Sequence, residues 1–385
     1  MSVLSLLLGG ADTDLGFGLL PPAAPQARSG EAVALSDDAT TVPLTVAVSA
    51  PGYLNGAVHI YQFDGTTYNF YTTILSPAPN IDFGDSVALN SDGTVLAIGA
   101  PDDQGEGRIH MYEWDVPSQT YVVDEVLDPN VGGLGPLAGG RTGESVALSK
   151  AGDSLLASAP QANTDNRGWA YSWFKSGTWI FVAQRIGETG VFQANGNCSE
   201  SMGMSADGLT IILLQPGGAQ VRIFERASIS AAFSEVFTLQ ISTIGGLLGV
   251  AIEDGGLLVF VTDPPAGVST GGVRSFVKNG TWGVGAFVAA PVLAGPTFGG
   301  VIVARNNDFF VGEDSGDFIH EFTYTNLGAM TFVASTDAPD NGTGNQYGHS
   351  LSLVFPIGTR NLAIGEPLRD RLGFIDAGNA YVQVV

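Results

Sequence analysis

Short apolar runs, broken again and again by glycine, aspartate and proline, cover the chain and predict many short strands. No stretch has the spacing of a long amphipathic helix. One run recurs. Gly30-Glu31-Ala32-Val33-Ala34-Leu35-Ser36 returns as Gly84-Asp85-Ser86-Val87-Ala88-Leu89-Asn90 and as Gly143-Glu144-Ser145-Val146-Ala147-Leu148-Ser149, and weaker copies follow. With the central apolar residue as anchor, the series is Val33, Val87, Val146, Met202, Val250, Val301 and Leu351. The spacing is roughly 48–59 residues, slightly above the common blade periods.

Each anchor is followed by the same events. A tight turn comes first, such as Ser91-Asp92-Gly93 or Ala206-Asp207-Gly208, where glycine supplies the positive φ of a hairpin. A second apolar strand then stops at Pro51, Pro101, Pro160, Pro216, Pro264 and Pro367, with Asp314 in that place in the sixth copy. Proline has no N–H to give a ladder, so it marks a strand end. A third strand and an aromatic-rich fourth complete the unit, as in Ala57 to Tyr61 and Tyr68 to Tyr71. Seven such units predict an all-β fold, a seven-bladed β-propeller of four-stranded antiparallel blades.

The seventh unit lacks a fourth strand, whereas the apolar segment 2–8 precedes any repeat. Residues 2–8 are therefore expected to close blade seven, with 9–27 as linker and blades starting near 28, 81, 141, 197, 246, 297 and 346 of one domain, 1–385.

Composition narrows the partners. With 15 basic against 38 acidic residues the net charge is −23, which disfavours nucleic acid and anionic membrane surfaces. No apolar run reaches transmembrane length, and no signal peptide is recognised. Cys198 is the single cysteine, so no intrachain disulfide forms.

The series Phe83-Gly84-Asp85-Ser86-Val87-Ala88-Leu89, Asp92-Gly93-Thr94, Ala97-Ile98-Gly99-Ala100-Pro101 and Gly107-Arg108-Ile109-His110-Met111-Tyr112 resembles the FG-GAP repeat of integrin α-subunit propellers. The likeness is good in units one to three and seven and weak in four to six. It implies a surface or adhesion protein. The family often carries an Asp-rich calcium loop between the first two strands; here those turns offer one carboxylate each, and calcium takes about six or more oxygens. Calcium is not carried over, and no cofactor is expected.

His59, His110 and His320 share one third-strand position in different blades, so they cannot converge on one metal ion. No phosphate-binding loop carrying a lysine is present. One constellation remains. Two residues before the anchors stand Glu31, Asp85, Glu144, Glu200 and His349, which would face one mouth of the axial channel and bind a cation or a basic group. The main expectation is a non-enzymatic structural or binding disc, a virion, capsid-associated or cell-surface component that contacts a protein partner in an assembly or a glycan. The alternative is a carbohydrate-active hydrolase or lyase with its site at the axial mouth.

Overall fold

The computed structural model describes residues 17–19, 21–22, 24–79, 81–130, 139–161, 168–187, 201–215, 220–240, 249–263, 271–291, 294–295, 298–313, 317–339, 344–356, 359–368 and 375–384. They form seven antiparallel sheets of four strands each, with one short 3-10 turn, Asp103–Gly105, as the helical content among them. The first strands are Val33–Leu35, Val87–Leu89, Val146–Leu148, Met202–Met204, Val250–Ile252, Phe298–Arg305 and Ser350–Val354. Each packs against the next and the last against the first, so the sheets close into a ring around an axis. This is the seven-bladed propeller that the repeats predict.

The hydrophobic pattern explains the ring. The second strands Thr45–Ala50, Val95–Ala100, Ser154–Ala159 and Asn361–Glu366 are buried at every position, because both faces of each blade are covered by its neighbours. Seven apolar clusters lie between adjacent blades. Between blades one and two, for example, Val58 and Ile60 meet Leu96, Ile98 and Trp114. Every second strand ends at the residue just before the proline, or before Asp314 in blade six. In blade six the anchor moves by one. A register shift between Phe298 and Val301 puts Ile302, not Val301, opposite Val311.

The closing strand also differs from the expectation. Phe17–Leu19, inside the stretch assigned to a linker, pairs with Ala380–Val382 of the last blade, whereas residues 2–8 lie outside the described residues. Leu19 is buried in the cluster that joins blades seven and one. At the same seam the backbones of Gly365 and Gly30 touch: a Cβ on Gly365 would lie 1.9 Å from the Gly30 carbonyl oxygen. In blades one to six the outermost pair of strands carries a register shift, which bends the exposed edge away from further pairing.

The turns after the first strands close one end of the axis. The Asp37 and Asp38 N–H groups donate to the Ser91 carbonyl, Ser91 to Lys150, Lys150 to Ala206 and Ala206 to Asp254, at 2.7 to 3.1 Å. Arg305 completes the circle. Its Nε lies 2.9 Å from Asp254 and its Nη2 2.5 Å from Asp37, whose other carboxylate oxygen accepts the Phe355 N–H at 3.1 Å. Burial alone would raise the Asp37 pKa, but Arg305 and Lys150 outweigh it and hold the group below its ordinary value.

Candidate functional site

The other end of the axis is built from one turn used four times. Gln346 to His349, Arg28 to Glu31, Asp82 to Asp85 and Arg141 to Glu144 enter the first strands of blades seven, one, two and three. In each turn the first residue has positive φ, 63°, 52°, 50° and 55°, and so does the third, a glycine. The fourth N–H donates to the first carbonyl at 3.0 to 3.2 Å. Glycine is required at position 30, where a Cβ would meet the Asn379 carbonyl oxygen at 2.2 Å. Serines lock one turn to the next: Ser350 Oγ donates to the Gly30 carbonyl at 2.9 Å and Ser86 Oγ to Gly143 at 2.7 Å. The spacing of the four side chains that follow is thus set by backbone, not by flexible loops.

Those side chains are His349, Glu31, Asp85 and Glu144, brought to one mouth as the register predicts. Glu200, the expected fifth member, lies outside the described residues. Glu31 pairs with Arg28, and His349 Nε2 stands 3.6 Å from its Oε1. Its Oε2 is buried and finds no hydrogen-bond donor among the described residues. Glu144 accepts from Arg141 Nε at 2.5 Å, and Arg141 Nη1 reaches Asp102 at 2.9 Å and Asp82 at 3.8 Å.

Asp85 sits between these groups. Burial, then repulsion from Glu144, pushes its pKa from 3.8 up to about 7; Arg141 opposes the rise, and Glu31 and Asp82 add to it. Asp82 is also raised, by burial first and then by the Asp102 carboxylate, with Arg141 opposing. The mouth therefore holds a half-buried carboxyl group poised near neutrality beside a guanidinium, in a frame of further carboxylates. Such a group can exchange a proton with water under mild conditions.

Arg28, Asp82 and Arg141 were not among the residues expected from sequence, although all three occupy the same place, three before the acid, in the aligned turns. Asp102 follows Pro101 in the loop after the second strand and carries no such marker.

The remaining candidates are structural. His59, His110 and His320 lie at one register position, opposite Val48, Ile98 and Val311. They bond within their own blades, His59 to Thr73, His110 to Asp103, and His320 to Ser335 and Glu313, at 2.8 to 3.0 Å. The hairpin carboxylates serve their own turns: Asp92 accepts from Asn90 and Thr94, and Asp207 from Ser205 and Leu209. Among the described residues no group of three His, Cys, Asp or Glu side chains is placed to hold a metal. A surface depression of about 530 Å³ lies at the closed end between the Asp38 to Leu44 loop, Lys150 and Phe355. Its Asp37 and Lys150 belong to the ion-pair circle around Arg305. Glu31 and Asp37 stand before and after the strand Val33–Leu35, which keeps the two ends separate.

No family model matches the sequence, and no curated protein matches it. Solved structures do. A protein from Lactobacillus plantarum is 13% identical with a TM-score of 0.57, covering 83% of this chain and 87% of its own. A candidate 6-phosphogluconolactonase from Bacteroides uniformis is 12% identical with a TM-score of 0.57, covering 83% and 88%. The periplasmic gluconolactonase of Pseudomonas aeruginosa is 16% identical with a TM-score of 0.51, covering 79% and 85%. At such identities the likeness is one of fold. It corrects the FG-GAP, integrin-like resemblance: two of these neighbours bear lactonase names and none is named for an FG-GAP or integrin protein. It also corrects the expectation of a non-enzymatic disc with virion, capsid or adhesion roles: the named neighbours point to enzymes. Among the described residues no helix is long and apolar enough to cross a membrane.

Proposed function

We propose that this propeller is a hydrolase of lactones, the cyclic esters of polyhydroxy acids, and that it works at the mouth formed by blades seven, one, two and three. The arrangement that supports the reading is Asp85, a half-buried carboxyl group pushed up to about 7, in a mouth where Glu144, Asp102 and Asp82 hold the Arg141 guanidinium. The names of the structural neighbours accord with it. For location we propose the outside of the cytoplasm, as for the periplasmic neighbour.

A lactone carbonyl is already electrophilic, so its hydrolysis asks for little: a base for water and a positive group for the developing oxyanion. Asp85 in its carboxylate form takes a proton from water as the water oxygen bonds to the carbonyl carbon. The oxyanion forms toward the Arg141 guanidinium. The ring C–O bond then breaks, and Asp85 returns its proton to the departing oxygen, leaving an open-chain hydroxy acid. Glu31, whose Oε1 pairs with Arg28, adds a further carboxylate to the same mouth.

Glucono-δ-lactone, with release of acid followed against the spontaneous rate, tests the reading. The parent should accelerate opening and Asp85→Asn should lose at least about a hundredfold. Equal rates for the two proteins would reject Asp85 as the base, and no acceleration of any sugar lactone would reject the hydrolase.

A further inference from the structure

We infer that this mouth takes lactones without a phosphate group, and that Asp82 and Asp102 are the residues that turn phosphorylated sugars away. The inference rests on the hydrolase reading above and adds the class of substrate.

Charge and placement support it. The mouth gathers five carboxylates, Glu31, Asp82, Asp85, Asp102 and Glu144, around two guanidiniums. Arg28 is engaged by Glu31, and Arg141, shared by Glu144, Asp102 and Asp82, is the cation given to the lactone carbonyl, which leaves no guanidinium for a phosphate at the far end of the sugar. A phosphate needs cations or backbone N–H groups directed at it, and a bidentate arginine is the usual provider. Exposure places the acids outermost. The side chains of Asp82 and Asp102 are 50% and 47% exposed, against 25% for Arg141. A lactone whose carbonyl lies at Arg141 must therefore pass its far end across these two rim carboxylates. A hydroxyl there can donate to them, whereas a phosphate dianion meets like charge. The net charge of −23 on the whole chain acts in the same direction.

The test compares glucono-δ-lactone with its phosphorylated counterpart, at low and at high salt, for the parent and for Asp82→Asn with Asp102→Asn. The parent should favour the unphosphorylated lactone in kcat/KM by about tenfold or more. Salt should narrow the gap. The double variant should raise the ratio of phosphorylated to unphosphorylated turnover about tenfold. Equal or faster turnover of the phosphorylated lactone by the parent, or a ratio unmoved in the variant, would overturn the inference and leave the hydrolase standing. Hydrolysis of neither would overturn the hydrolase. Calorimetry with glucitol and glucitol phosphate then decides the charge selection alone: tighter binding of glucitol sustains it, and tighter binding of the phosphate rejects it.

Discussion

Removing the charge of Asp85 should stabilise the fold, and only above a particular pH. In an unfolded chain this carboxyl titrates at its ordinary value of 3.8, whereas in the folded protein it titrates at about 7. Between those values the folded state holds a proton that the unfolded state has released. Stability is therefore highest below pH 4, falls as pH rises, and levels off above the folded pKa. At about 1.4 kcal/mol for each pH unit, the full gap corresponds to about 4 kcal/mol, and relaxation with water entry reduces it to about 2–4 kcal/mol. Asp85→Asn keeps the shape and cannot ionise. Chemical denaturation of the two proteins across this range should show no difference near pH 4 and a variant more stable by about 2–4 kcal/mol near pH 8. An increment equal at both pH values would show that Asp85 is not held out of its charged form, and a less stable variant near pH 8 would reverse the reasoning. A site that costs stability in this way is expected where a reactive group is held ready.

Three further outcomes follow from named contacts. As Asp85 must be ionised to act, kcat/KM for lactone opening should rise through about pH 7 and then level; Glu144→Gln, which removes the nearest like charge, should move that midpoint to lower pH, and an unmoved midpoint would assign the titration to another group. Gly365→Ala places a Cβ against the Gly30 carbonyl, so thermal unfolding should show a loss of about 2–3 kcal/mol, and parental stability would disprove the close seam. Arg305→Met leaves Asp37 half-compensated in the closed end and should cost about 3 kcal/mol near neutral pH; because Asp37 is held below its ordinary value, the loss should shrink as pH falls through that value, and a pH-independent loss would point to packing instead.

The fold was open to reading because its physics repeats. Proline after each second strand, glycine in each turn and the double-sided burial of the second strands all leave marks in composition. Two places misled. Residues 2–8 are more apolar than Phe17–Leu19, yet three residues suffice to cover the last edge when Leu19 enters the core. The glycine pair Gly299-Gly300 permits the shift that displaces Val301 from the register of the other anchors. The FG-GAP likeness has a physical source as well. Gly-acid-Ser before an apolar triplet encodes a positive-φ turn and an inter-blade serine bond, and any propeller with that turn can converge on it. At the mouth, the repeat pointed to Glu31, Asp85, Glu144 and His349; Arg141 is marked only by its place three before Glu144, and Asp102 meets it only in space. The aromatic fourth strands also reach across blades. Trp179 and Trp282 in fact donate their N–H groups to Asp124 and Glu225 of the preceding blades, at 3.0 and 2.7 Å.

Which end of the axis holds substrate can be seen directly. Crystals of the Asp85→Asn variant soaked with glucono-δ-lactone should show the sugar against Arg141, Glu31 and residue 85, at the mouth of blades seven, one, two and three. Density for the sugar in the depression beside Lys150 and Phe355, with the acid mouth empty, would contradict the assignment of the site.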